Sequence, residues 1–205
     1  RMFDKKDYSG SKGVQRIYQD RSGMVWIGHQ NFGLLKFNPD NSPFMTYNSL
    51  ANTSLFNLNI NNLYFDTKDN LWMAEWGGGL FKLQKKTNQI IRYNLGEVGN
   101  RIVCIQEIKP GIFWLGLSDQ GILEYNILTG RYYDPMPQGT IYSNIRASQI
   151  NNILKDQSQI YLTTSSGIFV YDSEKKRITQ FSYPESKKNW TLSPIKLKSG
   201  EIIAI

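Results

Sequence analysis

One pattern of aromatic residues and glycines recurs four times along the 205 residues and constrains the fold more than any other feature. Each copy has a short apolar segment, a turn, a triplet such as Trp-Ile-Gly, and a loop that ends at a glycine. The aligned aromatic residues, spaced by 46, 42 and 47 positions, are Trp26, Trp72, Trp114 and Tyr161. The aligned glycines, spaced by 46, 42 and 46 positions, are Gly33, Gly79, Gly121 and Gly167. Self-similarity at such a period is typical of stacked repeat architectures.

Each repeat reads as four short strands, which we call a to d. In the first repeat the pattern predicts strand a at 14–19, b at 24–28, c at 34–37 and d at 44–47. The four repeats span about 14–47, 60–93, 102–133 and 150–181, and a further one starts at 191–205. Only four Ala stand beside 12 Tyr, 10 Phe and 5 Trp, which favours β-structure over helix.

Strands b and c are apolar on both faces, so both faces of each sheet must be covered. Four-stranded antiparallel units that stack on copies of themselves are the blades of a β-propeller. The sequence therefore predicts an all-β fold, a β-propeller fragment of about four and a half four-stranded antiparallel blades. Because a ring of ~7 blades takes roughly 300 residues, we expect the chain to be part of a seven-bladed or double propeller. A β-sandwich built by duplication is the alternative, but it would not need the same Trp and Gly in every unit.

The repeated residues have structural explanations. The aligned aromatic residues are predicted to be wedges between blades, with the three tryptophans mostly buried. Gly23 and its counterpart pair Asp69-Asn70 lie where a tight hairpin needs positive φ. Asp20, Asp66 and Asp156 recur at the end of strand a, where an aspartate can accept hydrogen bonds from its own turn.

The signature Asp-x-x-Gly-x-Val-Trp-Ile-Gly, followed by a loop, Gly33 and Leu34, resembles the two-component regulator propeller repeat. The resemblance covers residues 14–181. It implies the periplasmic sensor region of a Bacteroides-type hybrid two-component system, a hybrid sensor histidine kinase and response regulator. Such a region detects an oligosaccharide and signals across the membrane to the kinase. Its partners would be the rest of the propeller and downstream sensor domains.

The b-to-c loops of a propeller open on one face, which makes them candidates for a ligand site. An exposed aromatic ring among amides, carboxylates and hydroxyls suits a sugar, whose apolar ring face stacks while its hydroxyls hydrogen-bond. Trp76 is singled out because it occupies no repeat position. The candidate ligand-binding residues are His29, Asn31, Glu75, Trp76, Asp119, Gln120 and Ser165. Variable loops that bind nothing are the alternative.

No residue pattern predicts catalysis, a metal or a cofactor. His29 is the single histidine and has no second member of a catalytic set. Cys104 falls in strand a of the third repeat, where a buried structural role is expected. The run 66–70 lacks the ligand spacing of a calcium loop. We therefore expect this segment not to be an enzyme, although the full-length protein that it resembles would be a histidine kinase.

Two other functions remain open. The chain could be a protein-interaction or dimerisation propeller with no small ligand, or an enzyme similar to streptogramin lyases, which share the Asp-Gly-x-Leu-Trp turn. The net charge of +7 is scattered over blade edges and forms no stripe, so no nucleic-acid partner is expected. Apolar stretches reach four residues, far short of the ~20 that span a bilayer, so the segment is not predicted to be membrane-inserted.

Overall fold

β-strands make up more than half of the residues whose structure is described, and helix is rare. A computed structural model describes residues 13–30, 32–40, 45–47, 59–84, 86–136, 139–181, 194–197 and 199–204. The chain divides into two compact units, residues 1–100 and 101–205. Consecutive strands pair antiparallel within each sheet.

The first unit holds two four-stranded sheets. Sheet 1 consists of β1 (Val14–Gln19), β2 (Val25–His29), β3 (Gly33–Phe37) and β4 (Met45–Tyr47). Sheet 2 consists of β5 (Ile60–Phe65), β6 (Leu71–Glu75), β7 (Gly79–Gln84) and β8 (Gln89–Tyr93). A 3₁₀ helix, Gly96–Arg101, follows β8.

The second unit holds two further four-stranded sheets and a two-stranded one. Sheet 3 consists of β9 (Ile102–Lys109), β10 (Ile112–Leu117), β11 (Ile122–Asn126) and β12 (Tyr132–Tyr133). Sheet 4 consists of β13 (Ile150–Asp156), β14 (Gln159–Thr164), β15 (Gly167–Asp172) and β16 (Arg177–Phe181). The short pair is β17 (Pro194–Lys196) and β18 (Ile202–Ala204).

The predicted fold class is confirmed: the protein is all-β, with four-stranded antiparallel sheets arranged as β-propeller blades. A short helix that the sequence did not predict, α1 (Thr140–Arg146), connects sheets 3 and 4. Arg146 at its end donates to the Asp134 carboxylate and to the Met136 carbonyl. These bonds tie the helix to the chain segment that precedes it.

The strand boundaries differ from the prediction at the end of strand b. β2 continues to His29, one residue beyond the predicted end, and β6 likewise continues to Glu75. Strand c starts at the repeat glycine itself, because Gly33 pairs with His29 and Gly79 pairs with Glu75. His29 and Glu75 are therefore strand residues, and their assignment to a loop was wrong.

In sheets 1 and 2 the a-to-b turns are built by aspartate side chains, which confirms the prediction for Asp20 and Asp66. Asp20 Oδ1 accepts backbone N–H bonds from Ser22 at 2.9 Å and from Met24 at 3.2 Å. Asp66 Oδ1 accepts the corresponding bonds from Lys68 at 2.9 Å and from Asn70 at 2.8 Å. The left-handed conformation of the turns, with φ of 83° at Gly23 and 62° at Asp69, agrees with the expected positive φ.

The apolar faces of neighbouring sheets pack together inside each unit. Trp26, at 1% exposure, lies in a cluster with Leu63 and Met73 of sheet 2. In the second unit Trp114 and Cys104 pack with residues of sheet 4 such as Phe169. Burial of these aromatic and aliphatic side chains removes apolar surface from water and holds the blades together.

The glycine two positions after the repeat Trp is required by close packing in sheets 1 and 3. A Cβ on Gly28 would lie 2.9 Å from Ile60 Cγ2, and one on Gly116 would lie 2.4 Å from Cys104 Sγ and 2.8 Å from Ile150 Cγ2. Ile60 and Ile150 begin strand a of the following sheet. The glycine therefore lets the next blade approach its neighbour closely.

One apolar marker of the repeat is not part of a core. Ile17, in strand a of sheet 1, is 65% exposed, whereas its counterparts Leu63 and Ile153 are 7% and 4% exposed. Leu63 and Ile153 are covered by the preceding sheet of their own unit. Sheet 1 is the first of its unit, and within the described residues no sheet of that unit covers this face.

Candidate functional site

A backbone hydrogen bond recurs at the b-to-c loop end of all four sheets. The residue that follows strand b donates its N–H to the carbonyl of the residue that precedes strand a. The pairs are Gln30 to Gly13 at 3.4 Å, Trp76 to Asn59 at 2.9 Å, Ser118 to Arg101 at 3.0 Å and Ser165 to Gln149 at 3.0 Å. We call these eight residues the loop-end pairs. The bond ties each b-to-c loop to the residue from which the chain enters strand a of the same sheet.

A β-bulge lies next to each loop-end pair. The register between strands a and b skips one residue near the start of strand a in every sheet. The skipped residues are Gln15, Asn61, Val103 and Asn151. Bulges re-aim side chains and are frequent near functional sites, and three of these four positions carry an amide.

Trp76 projects from the loop end of sheet 2. Its side chain is 47% exposed, unlike the repeat residues Trp26, Trp72 and Trp114, which are 1%, 0% and 3% exposed. The turn that carries Trp76 is fixed by backbone bonds, from Gly77 N–H to the Asn100 carbonyl at 3.3 Å and from Gly78 N–H to the Glu75 carbonyl at 3.0 Å. An exposed indole on a fixed turn offers a flat apolar surface for stacking.

Glu75 lies beneath the same turn and not on its surface. The residue is 0% exposed as the last residue of β6. A Cβ on Gly78 would lie 2.0 Å from Glu75 Oε2, so the turn folds directly over the carboxylate. A ligand could therefore not contact Glu75 without movement of the turn, and its role becomes that of a buried side chain beneath the turn that carries Trp76.

His29 is likewise buried, at 5% exposure. Its Nδ1 accepts a hydrogen bond from the backbone N–H of Phe32 at 3.3 Å, and the two rings pack with centroids 4.7 Å apart. Burial lowers the pKa of the imidazole below its ordinary value, because desolvation disfavours the charged form. These contacts give His29 a role in holding the loop. Asn31, the neighbouring candidate, lies outside the described residues.

Two amide oxygens that the sequence did not single out lie at the loop end of the first unit. Gln30 Oε1 and Asn59 Oδ1 are buried, and neither accepts a hydrogen bond in the described structure. Both residues belong to the loop-end pairs. Only their place next to strands b and a could have drawn attention to them, since amides are common in loops and carry no motif.

The candidates of the second unit lie at the loop ends of sheets 3 and 4. Asp119 is exposed, and its carboxylate forms an ion pair with Arg101 at 3.0 Å. Gln120 is exposed beside it. Ser165 is exposed and its Oγ accepts the Gln149 N–H at 3.2 Å. The loop ends of this unit are thus polar, and Asp119 and Ser165 already bond to other groups of the protein.

A cavity of about 510 Å³ lies elsewhere in the second unit, on the face of sheet 4 that carries Tyr161. Its lining includes Val170 and Phe181 of sheet 4 and Ile202 of the two-stranded sheet. The buried Thr163 Oγ1 also lines it and has no partner among the described residues. On sheet 3 the corresponding face, around Trp114, is covered by sheet 4. The cavity therefore lies on the face of sheet 4 that is equivalent to one used for packing between blades.

In the described parts of the chain, no group of three or more His, Cys, Asp or Glu side chains could hold a metal ion. None of the helices described is long and apolar enough to cross a membrane.

Comparison with solved structures places this architecture among known propellers. The extracellular domain of a hybrid two-component system from B. thetaiotaomicron superposes with a TM-score of 0.74 and 18% identity, over 96% of this chain and 27% of that one. The chain has the fold of that domain. The resemblance predicted from the repeat signature is thereby confirmed at the level of the fold.

One relative matches part of the chain in sequence, and a further solved structure shares the fold. The curated protein "Histidine kinase P4" of Formosa agariphila is 29% identical over 97 residues, which is 44% of this chain and 7% of that protein. Virginiamycin B lyase from Staphylococcus aureus shares the fold with a TM-score of 0.65 and 17% identity, over 94% of this chain and 69% of the lyase. No family model matches the chain. The chain thus spans a small part of the kinase and about a quarter of the extracellular domain.

Proposed function

We propose that this chain is a ligand-sensing propeller segment from the extracytoplasmic, periplasmic part of a hybrid two-component sensor. The ligand is an oligosaccharide, and its binding is signalled across the membrane to a histidine kinase. The likeness in fold to an extracellular domain of such a system supports the sensor role. The weak similarity to a histidine kinase points the same way.

The observation that carries the ligand proposal is the exposed Trp76 on its fixed turn. Sugar rings present an apolar face that stacks on an indole, while their hydroxyls need donors and acceptors at the edge of the ring. The loop end of the first unit supplies both, because amides flank an exposed tryptophan. The buried repeat tryptophans have no such access and serve the core.

The test is a binding screen of the purified chain. Tryptophan fluorescence and calorimetry would be measured with xylotetraose, mannotetraose, cellotetraose, arabinotetraose, a galactotetraose and a chondroitin tetrasaccharide. We expect at least one to bind, and Trp76→Ala to weaken that binding by at least tenfold. Tyr132→Ala is the matched control, since Tyr132 is 44% exposed on the outer strand of sheet 3.

Two outcomes would contradict the proposal. Binding that is unchanged in Trp76→Ala would remove the stacking site. Absence of binding to every sugar, with the chain folded, would favour a protein-interaction or dimerisation propeller. Dimerisation can be read from the sedimentation coefficient of the same sample.

A lyase-type enzyme is the weaker alternative, favoured by the fold similarity to virginiamycin B lyase. Streptogramin lyases, to which the repeat shows a resemblance, use a catalytic histidine. The single histidine here, His29, is buried, and its Nδ1 already accepts the Phe32 N–H. A general base must reach the substrate proton, and this imidazole is held inside the blade. We therefore propose that the segment is not catalytic.

A further inference from the structure

We propose that the cavity on sheet 4 binds a small uncharged molecule, whose apolar body packs inside it and whose hydroxyl or carbonyl group forms a hydrogen bond with Thr163 Oγ1. The cavity is formed by sheet 4 together with the two-stranded sheet of β17 and β18. The inference goes beyond the proposed function, because this site lies in the second unit and shares no residue with the sugar site at Trp76.

The size and the walls of the cavity fit a small ligand. Its volume of about 510 Å³ lies within the range of about 300 to 1,000 Å³ that is usual for ligand sites. Apolar side chains form most of the walls: Ile168, Val170 and Phe181 of sheet 4, and Pro194 and Ile202 of the two-stranded sheet. None of the described lining residues carries a charge. A charged ligand would lose its hydration there without gaining a counter-charge, so the walls select an uncharged one.

One buried hydroxyl in the cavity lacks a partner. Thr163 is 0% exposed, and its Oγ1 forms no hydrogen bond in the described structure. A buried polar group without a partner costs free energy, which a ligand that supplies the missing bond recovers. Elsewhere in the lining, the Tyr161 hydroxyl already donates to Gln159 Oε1, and Thr179 is exposed. The Thr163 hydroxyl is therefore the group that orients a ligand.

This face of sheet 4 departs from the repeat at the position of Thr163. The residue stands two positions after the repeat aromatic, a place held in sheets 1 to 3 by the smaller Gly28, Ala74 and Gly116. At the two glycines the next sheet is so close that an added Cβ would lie 2.9 Å and 2.8 Å from an isoleucine Cγ2. Thr163 fills that space with its own side chain, so a following strand cannot approach as closely. The aromatic residue is also smaller, because Tyr161 replaces tryptophan.

A small molecule suits this face better than another strand packed as in the other sheets. In those sheets the equivalent position meets an isoleucine, which can neither donate nor accept a hydrogen bond. The same packing against Thr163 would leave its hydroxyl buried and unsatisfied. A molecule with one oxygen on an apolar body fills the cavity and supplies the bond.

Matched pairs of aromatic molecules test the chemical class. At neutral pH, 2-naphthol is compared with 2-naphthoate, and 4-phenylphenol with biphenyl-4-carboxylate, because each pair shares an apolar body and differs in charge. Calorimetry with the whole chain gives the affinities, and the NMR shifts of the Ile168 and Val170 methyl groups locate the binding. We expect the neutral member of at least one pair to shift these methyl groups and to bind at least tenfold more tightly than its acid. Absence of binding by both neutral molecules, or equal binding of the acids, would overturn the inference.

Two substitutions test the assigned residues. Thr163→Val keeps the shape and removes only the hydroxyl, so we expect binding of the neutral molecule to weaken at least fivefold while Tm stays equal or rises. Val170→Trp fills the cavity, and we expect it to abolish binding. Leu128→Trp is the matched control for the added indole, since Leu128 is 87% exposed and does not line the cavity. It should bind as the wild-type chain does.

Other results would identify a different role for this face. Equal binding in Thr163→Val, or in a folded Val170→Trp, would overturn the inference, because the ligand would then lie elsewhere. A concentration-dependent rise in the sedimentation coefficient that Val170→Trp abolishes would show that a second copy of the chain covers the face, which also overturns it. A clear fall in Tm of Thr163→Val would show that the hydroxyl serves the fold instead of a ligand. None of these results affects the sugar proposal, which depends on Trp76.

Discussion

The indole Nε1–H of Trp26 donates to the Asp20 carboxylate at 2.8 Å, linking strand b to the turn that precedes it. The same bond joins Trp72 to Asp66 at 2.9 Å in sheet 2. One aspartate thus closes the turn with one oxygen and satisfies a buried indole with the other. This double use explains why the aspartate and the tryptophan recur together six residues apart.

In sheet 3 a different residue accepts the hydrogen bond of the repeat tryptophan. The position six residues before Trp114 is occupied by Ile108, which cannot accept a hydrogen bond. The Trp114 Nε1–H donates instead to Glu124 Oε2 at 2.9 Å. Glu124 is the cross-strand partner of Trp114, a position that is lysine in the first two sheets. The charge on strand c therefore reverses where the aspartate is missing.

Removal of the Asp66 carboxylate should destabilise the first unit. In Asp66→Ala the fully buried Trp72 keeps its N–H without an acceptor, and the turn loses its N–H bonds. We expect the free energy of unfolding to fall by about 2 to 3 kcal/mol, measured by urea denaturation. Asp40→Ala, an exposed turn residue, is the control and should change little. A loss equal to that of the control would show that the indole bond adds nothing.

Replacement of Glu124 tests the exchange in sheet 3. Glu124→Lys should lower the free energy of unfolding by about 1 to 3 kcal/mol, because Trp114, at 3% exposure, loses its acceptor. Glu124→Gln keeps an oxygen in the same place and should cost less than about 1 kcal/mol. Chemical denaturation of both variants decides the matter, and equal losses would argue against the hydrogen bond as the cause.

The close approach between blades predicts a large effect for one methyl group. Gly116→Ala places a Cβ against Cys104 and Ile150, where backbone or core side chains must shift. We expect a loss of roughly 1 to 3 kcal/mol, the usual range for overpacked cores, read from thermal unfolding. Gly99→Ala is the control because a Cβ there would lie 3.5 Å from its nearest neighbour, an ordinary contact. Similar Tm values for the two variants would contradict the packing argument.

Stability should fall as the pH is lowered from neutrality through the range in which His29 titrates. Burial lowers the pKa of His29 in the folded chain, so the unfolded chain binds a proton at a higher pH than the folded chain does. Stability is therefore highest above the unfolded pKa, near 6.5, and decreases from there towards the folded pKa. Because His29 is the single histidine, the decrease in Tm between about pH 7.5 and 5.5 should be smaller in His29→Gln. An identical pH profile for both proteins would refute this.

Much of the fold follows from repetition. Four copies of one pattern predicted sheets of four antiparallel strands, and the strands formed where the copies placed them, within a residue or two. Helix α1 was not predicted, because Thr140–Arg146 contains no apolar period long enough to distinguish it from a loop. The exposure of Ile17 was not predicted either, because a repeat shows which face of a strand is apolar but not what covers it.

The candidate site was harder to predict. Trp76 stood out because an aromatic residue at no repeat position has no core role, and it is exposed as expected. His29 and Glu75 were assigned to loops because strand b was predicted to end one residue earlier, although each ends a strand and is buried. Gln30 and Asn59 carried no signal in the sequence. Their interest arises from burial without a hydrogen-bond partner, which no local pattern can reveal.

The sequence by itself determined the period, the strands, the tight turns and the aromatic wedges, because each depends on residues within one repeat. Only the tertiary structure decided which atoms meet: the close approach of Gly28 to Ile60, the hydrogen bond from the Trp114 indole to Glu124, and the burial of the amide oxygens of Gln30 and Asn59. Hydrogen bonding and close packing act over a few ångströms. Residues far apart in the chain therefore acquire their roles only when neighbouring strands and blades bring them into contact.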